Sequence, residues 1–205
     1  MRRSRILMAA AAALALAACS PSTGGERPSS SPPGKVAPST PTATPEPTTT
    51  ATPSTLTIVS GGDVLLHLSV NDAARVGNSY DYTPLFSGIQ PWIEGADLAL
   101  CALEVPIVPP GEEPSNYPNF GAPPEIADSL KAMGWDGCAL ATNHSMDRGF
   151  PGIVSTADTL DAAGLGHHGT ARTEEEAGLI QYYTLASGGR EVTIAQLSAT
   201  TLTNG

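Results

Sequence analysis

Residues 136–164 read DGCALATNHSMDRGFPGIVSTADTLDAAG, and this stretch decides the fold. Residues 136–141 are an apolar run of strand length, followed at once by the polar pair Asn143-His144. Beyond Pro151 the period changes. Ile153, Ala157 and Leu160 recur at helical spacing, with Pro151 at the start of the pattern and Gly164 at its end. A buried strand, a polar turn and a returning helix make one α/β unit, in which ligands collect beyond the carboxyl end of the strand.

The same grammar recurs upstream. Residues 98–103 (LALCAL) form a second apolar run, ended by Glu104. Residues 124–134 read as a helix, with Pro124 in the first turn, Ile126, Leu130 and Met133 on one face, and Gly134 closing it. Residues 56–60 are a short β-branched run that Gly61-Gly62 should stop, with Asp63 just beyond. Downstream, residues 179–185 and 192–197 flank Ser187-Gly188-Gly189 and predict a β-hairpin. Strands alternating with helices predict the α/β class.

Polar residues at the three predicted strand ends carry the functional reading. Asp63, Glu104 and Asn143-His144 offer two carboxylates, an amide oxygen and an imidazole, the donors of a Mn, Fe or Zn hydrolase site. Each has a plainer reading alone: Asp63 as a turn residue or N-cap, Glu104 as a solvated strand end, and Asn143-His144 as a cap before a turn at Asp147 and Gly149. His67 could cover an amphipathic face. Coincidence at three successive strand ends favours a shared divalent metal site. His167 and His168 are adjacent on a predicted strand, so their side chains point to opposite faces and read as structural. Glu174, Glu175 and Glu176 follow Thr173 as a capped, solvated helix start. Cys101 and Cys138 lie inside apolar runs and read as two buried thiols in preference to a disulfide.

Composition separates the folded part from what precedes it. All ten aromatic residues lie at or beyond Tyr80, whereas nine of nineteen prolines lie between Pro21 and Pro53. Residues 1–19 read as a lipoprotein signal peptide: Arg2, Arg3 and Arg5 precede an apolar run, and Leu16-Ala17-Ala18-Cys19 resembles a bacterial lipobox with Cys19 as the lipid attachment site. Residues 20–54 read as a disordered Pro/Ser/Thr-rich linker, and the folded domain is expected over 55–205. The expected location is extracytoplasmic, lipid-anchored to the cell membrane. The formal net charge is −10, with only five Lys and Arg against eighteen Asp and Glu from Ser54 onward. That balance excludes nucleic acid as a partner, and lets an anionic polymer approach only where metal ions bridge the two.

Four ordered blocks resemble the CapA family of poly-γ-glutamate capsule synthesis proteins, whose fold is similar to calcineurin-like metallophosphatases. They are GDVLLH (62–67), ADLALCALEVPI (96–107), LATNHSMDRGFPGI (140–153) and AAGLGHHGTARTEEEA (162–177). The resemblance implies a metallophosphatase-like α/β sandwich. It implies a divalent metal (Mn, Fe or Zn) held by Asp63, Glu104, Asn143 and His144, with Asn143 and His144 catalytic and Asp147 supporting the loop. It further implies phosphoesterase-like hydrolysis, with an anionic envelope polymer or its synthesis machinery as partner. Two departures accompany it. Ala102 stands where the family usually has a polar residue, and the segment is about half a CapA-like domain. It therefore reads as the N-terminal half, needing a missing half for turnover. The alternatives are a non-catalytic envelope binding or assembly module, or an inactive truncated fragment.

Overall fold

The computed structural model describes residues 55–204. The expected signal peptide, Cys19 and linker at 1–54 lie outside the described residues. The first strand, β1 (Ile58–Val64), does not stop at its glycines but runs through them. Its register against the next sheet strand shifts between Ser60 and Asp63, a bulge carrying one extra residue on β1. A Cβ on Gly61 would stand 2.7 Å from the Trp135 indole, so only glycine lets the strand pass over that buried ring.

Short elements return the chain to the sheet: α1 (Leu68–Ala73), the two-stranded ribbon β2 (Arg75–Val76) and β3 (Ser79–Tyr80), then α2 (Thr83–Phe86) and α3 (Gln90–Glu94). Tyr82 pins this connection. Its ring is fully buried, its hydroxyl donates to Asn71 Oδ1 at 2.8 Å, and its amide donates to Ser129 Oγ at 3.1 Å.

The central strand β4 (Leu98–Leu103) matches the predicted run. The predicted helix is α4 (Glu125–Ala132), with Ile126, Ala127 and Leu130 buried beneath it and Pro124 at its N-cap. Burial of each such aliphatic side chain contributes about 1.5–3 kcal/mol. Strand β5 (Gly137–Ala139) is shorter than its apolar run, and α5 (Gly149–Ala163) starts two residues before Pro151 and ends at Gly164. After it comes β6 (Gly166–His168).

Strands β1, β4, β5 and β6 form one parallel sheet in that order, giving the expected mixed α/β class, consistent with a metallophosphatase-like fold. The order advances in one direction, so right-handed crossovers place α4 and α5 on the same face, where they pack together. Helix α6 (Glu174–Ala177) is capped as expected, Thr173 Oγ1 accepting from the Glu176 amide at 3.1 Å. The hairpin is β7 (Gln181–Ser187) and β8 (Arg190–Gln196), turning on Gly188 and Gly189, both at positive φ.

A second expectation, after the strand that passes through Gly61-Gly62, is corrected. Cys101 and Cys138 are buried, but they are joined by a disulfide. Parallel pairing sets them directly opposite each other on β4 and β5, with Cα atoms 4.4 Å apart, within bridging range.

Candidate functional site

All four expected donors lie at the carboxyl ends of neighbouring strands. The bulge in β1 sets Asp63 opposite Ala102 instead of Gly62. Side chains alternate along β4, so Ala102 and Glu104 share a face, and Asp63 joins them on it. The Glu104 amide donates to Val64 O at 3.3 Å, and Glu104 O accepts from Thr142 Oγ1 at 2.6 Å. That hydroxyl also takes the His144 amide at 3.2 Å. Thr142 therefore stitches the end of β4 to the loop that presents Asn143 and His144.

His144 is held by a buried carboxylate. Asp147 Oδ2 lies 2.7 Å from His144 Nδ1, and the Asp147 side chain is only 1% exposed. The same oxygen accepts from the Phe120 amide at 2.8 Å. With Nδ1–H donating to Asp147, the lone pair of a neutral ring resides on Nε2, the form that ligates a metal or accepts a proton. Among the described residues Nε2 has no hydrogen-bond partner.

Phe120, buried, places its ring edge-on to both His144 and His67, with centroids 4.8 and 5.1 Å apart. His67 Nδ1 donates to Asn116 Oδ1 at 2.9 Å, so His67 faces the loop ahead of Phe120 instead of merely covering a helix face. Arg148 ties that loop down, donating to Phe120 O at 3.1 Å, Glu112 Oε2 at 3.0 Å, Glu113 O and Ser115 Oγ. Asn204 approaches from far along the chain: its backbone amide donates to Asn143 O at 2.8 Å, and its side-chain amide lies 3.0 Å from His144 Nδ1, where a ring hydrogen directed at Asp147 leaves the oxygen end of that amide as the compatible neighbour.

The electrostatics tie these groups together. Burial pushes the Glu104 carboxyl up from its ordinary range and the Asp63 carboxylate pushes it further, against the opposing pull of His144 and His67. The Asp63 charge adds to the cost of ionising Glu104, a cost of the kind that a divalent cation relieves. The donor types are those a divalent metal takes, but among the described residues no three His, Cys, Asp or Glu side chains form a group able to hold an ion. His167 and His168 take separate structural partners, Asp161 at 3.1 Å and the Ser198 amide at 3.0 Å.

Four residues of this neighbourhood escaped the sequence reading: Asn116, Phe120, Thr142 and Asn204. Thr142 alone had a local signal, as a hydroxyl residue at the predicted strand end. The other three arrive from loops through contacts that no short-range pattern encodes.

Residues 57–205 match the family model described as bacterial capsule synthesis protein PGA_cap. The chain belongs to this family. The family is described as one of bacterial capsule synthesis proteins. The uncharacterized proteins y4sH and y4uA of Sinorhizobium fredii (strain NBRC 101917 / NGR234) are each 29% identical to it over 140 residues. The aligned stretch takes in 64% of this PGA_cap chain and 28% of either relative, so it spans well under a third of their length.

Proposed function

We propose that this chain serves capsule synthesis or export at the outer face of the cytoplasmic membrane, held there by lipid on Cys19. The polymer is anionic, of the poly-γ-glutamate kind, and the working site is a divalent metal centre at Asp63, Glu104, Asn143 and His144. The observation that supports this reading is the His144–Asp147 pair beside the two mutually repelling carboxylates. A Mn, Fe or Zn ion held by Asp63, Glu104, Asn143 and His144 would supply an activated water and would neutralise charge developing on a phosphoryl or amide-type centre. The protein's own parts do the rest. Asp147 keeps the proton on Nδ1 of His144, Asn143 offers its amide oxygen or its N–H, and Phe120 keeps water from the inner side of the imidazole.

The test is metal content of the full chain after incubation with Mn, Fe or Zn and desalting, read by elemental mass spectrometry. Near-stoichiometric metal, lost in an Asp63→Ala, His144→Ala double variant, supports the reading. Folded protein that retains no metal rejects it. Hydrolysis of a phosphoester substrate that depends on metal and vanishes in Asp63→Ala would assign the chemistry.

A second reading is a non-catalytic module that binds or assembles the polymer. It is favoured by the failure of three ligating side chains to group among the described residues. Pull-down of poly-γ-glutamate with and without divalent metal separates the two, since an assembly module captures polymer without turning over the phosphoester.

A further inference from the structure

The segment that follows β8 is tied to the carboxyl ends of two sheet strands. Its first anchor is the Ser198 amide, which donates to Nδ1 of His168, the last residue of β6, at 3.0 Å. Its last is the Asn204 amide, which donates to Asn143 O, beyond the end of β5, at 2.8 Å. Between them Thr200 folds a short turn, its hydroxyl donating to Leu202 O at 2.9 Å and accepting from the Leu202 amide at 3.4 Å. Ordering such a strap costs chain entropy, and the bonds at its two ends help to offset that cost. They bring Asn204 to the candidate site.

There its side-chain amide lies 3.0 Å from His144 Nδ1, the nitrogen that Asp147 Oδ2 approaches to 2.7 Å. A bare nitrogen would set its lone pair against that carboxylate, so Nδ1 carries the hydrogen and both neighbours accept. The Asn204 oxygen therefore faces the ring, and one hydrogen is shared between two acceptors. The two acceptors differ in what they are fixed to. Asp147 is three residues from His144, within the same loop, so the pair can shift as a unit. Asn204 is 60 residues away and fixes the ring to a separate part of the fold, while its main chain holds the neighbouring Asn143. We propose that Asn204 joins Asp147 as a positioning residue for His144, its side-chain oxygen sharing the Nδ1 hydrogen. The use of that alignment, presenting Nε2 to an ion, rests on the metal-site reading; the contact itself does not.

The experiment records long-range ¹H–¹⁵N spectra of the His144 ring in the metal-free full chain at neutral pH, for the wild type, Asn204→Ala and Asn204→Asp. Alanine leaves the main-chain bond to Asn143 O in place and removes only the side chain, whereas aspartate keeps an oxygen of the same reach. The hydrogen should stay on Nδ1 in all three. In Asn204→Ala its resonance should shift and it should exchange with solvent about tenfold faster, the loss of one hydrogen bond; in Asn204→Asp the wild-type exchange should return. Zn affinity, measured by competition with a chelator, should fall about tenfold in Asn204→Ala and be kept in Asn204→Asp. The proposal is overturned if Asn204→Ala lowers Tm yet leaves the ring spectrum and its exchange unmoved, the mark of a merely structural contact. It is equally overturned if Asn204→Asp behaves as Asn204→Ala. A wild type that takes up no Zn would reject the metal-site reading, and the ring spectra would still decide this one.

Discussion

Asp147 Oδ2 sits 2.7 Å from His144 Nδ1 with its side chain almost wholly withdrawn from water. The pair fixes which ring nitrogen carries the hydrogen, so Asp147 is a positioning residue and not a candidate ligand. Asp147→Asn keeps size and burial but allows the amide to present N–H to the ring. We expect metal affinity to fall by about 10- to 100-fold. Imidazole ¹⁵N shifts should show the His144 hydrogen moving to Nε2; an unchanged tautomer with unchanged affinity would refute the positioning role.

Glu104 and Asp63 repel one another across neighbouring strand ends. Glu104→Gln removes the cost of burying that charge and its repulsion by Asp63, so the metal-free protein should gain stability and melt at a higher temperature. Added Mn should then stabilise the wild type but not the variant. Thermal unfolding with and without metal checks both signs at once.

Ala102 lies between Asp63 on one side and Ala139 on the other, on the face that Glu104 shares. A donor introduced there would add a ligand beside the carboxylate pair. Ala102→His should tighten Zn binding by at least about tenfold, measured by competition with a chromophoric chelator. Equal affinity would show that this face does not look onto the metal.

The disulfide between Cys101 and Cys138 closes a loop with a sequence separation of 37. Chain-entropy arithmetic assigns such a closure about 4 kcal/mol. Reduction should therefore lower Tm by roughly 10 °C, with metal-site variants shifted equally. Calorimetry with and without a phosphine reductant tests this, and free-thiol titration should find both sulfurs unreactive before reduction.

Arg172 holds the Glu176 carboxyl below its ordinary range, chiefly through their direct hydrogen bonds. A carboxylate with a depressed folded-state pKa lends stability that is fully present above its unfolded value and fades as pH falls through the folded one. Stability should therefore drop on acidification below about pH 4.5. Glu176→Gln should flatten that slope and cost about 1 kcal/mol at neutral pH, where urea unfolding reads it.

The legible parts of this protein were those encoded locally. β4, α4 and α5 each carry their own period, and the placement of Asp63, Glu104, Asn143 and His144 at strand ends was legible from the apolar runs that precede them. The short helices α1 to α3 carry too few turns for any period to register. The disulfide was misread because its two cysteines were weighed by the apolar runs around them, while the deciding fact is that β4 and β5 are neighbours in register. Phe120, Asn116 and Asn204 reach His144 and His67 from loops, through contacts set only once the chain is folded.

The bulge in β1 makes the site depend on how that strand is counted off against β4. Adding a side chain at Gly62 meets nothing within 4 Å, so Gly62→Ser should pass unnoticed. Deleting Gly62 removes the extra residue, so Ser60, Gly61 and Asp63 would pair with Leu100, Cys101 and Ala102 in simple alternation and Asp63 would keep its face. Substitution and deletion at Gly62 should both leave the carboxylate beside Glu104, whereas the same residues paired without the bulge would set Asp63 opposite Leu103 and turn it away. An alignment that slips by one place across Gly61-Gly62 would likewise put the carboxylate on the wrong side of the sheet.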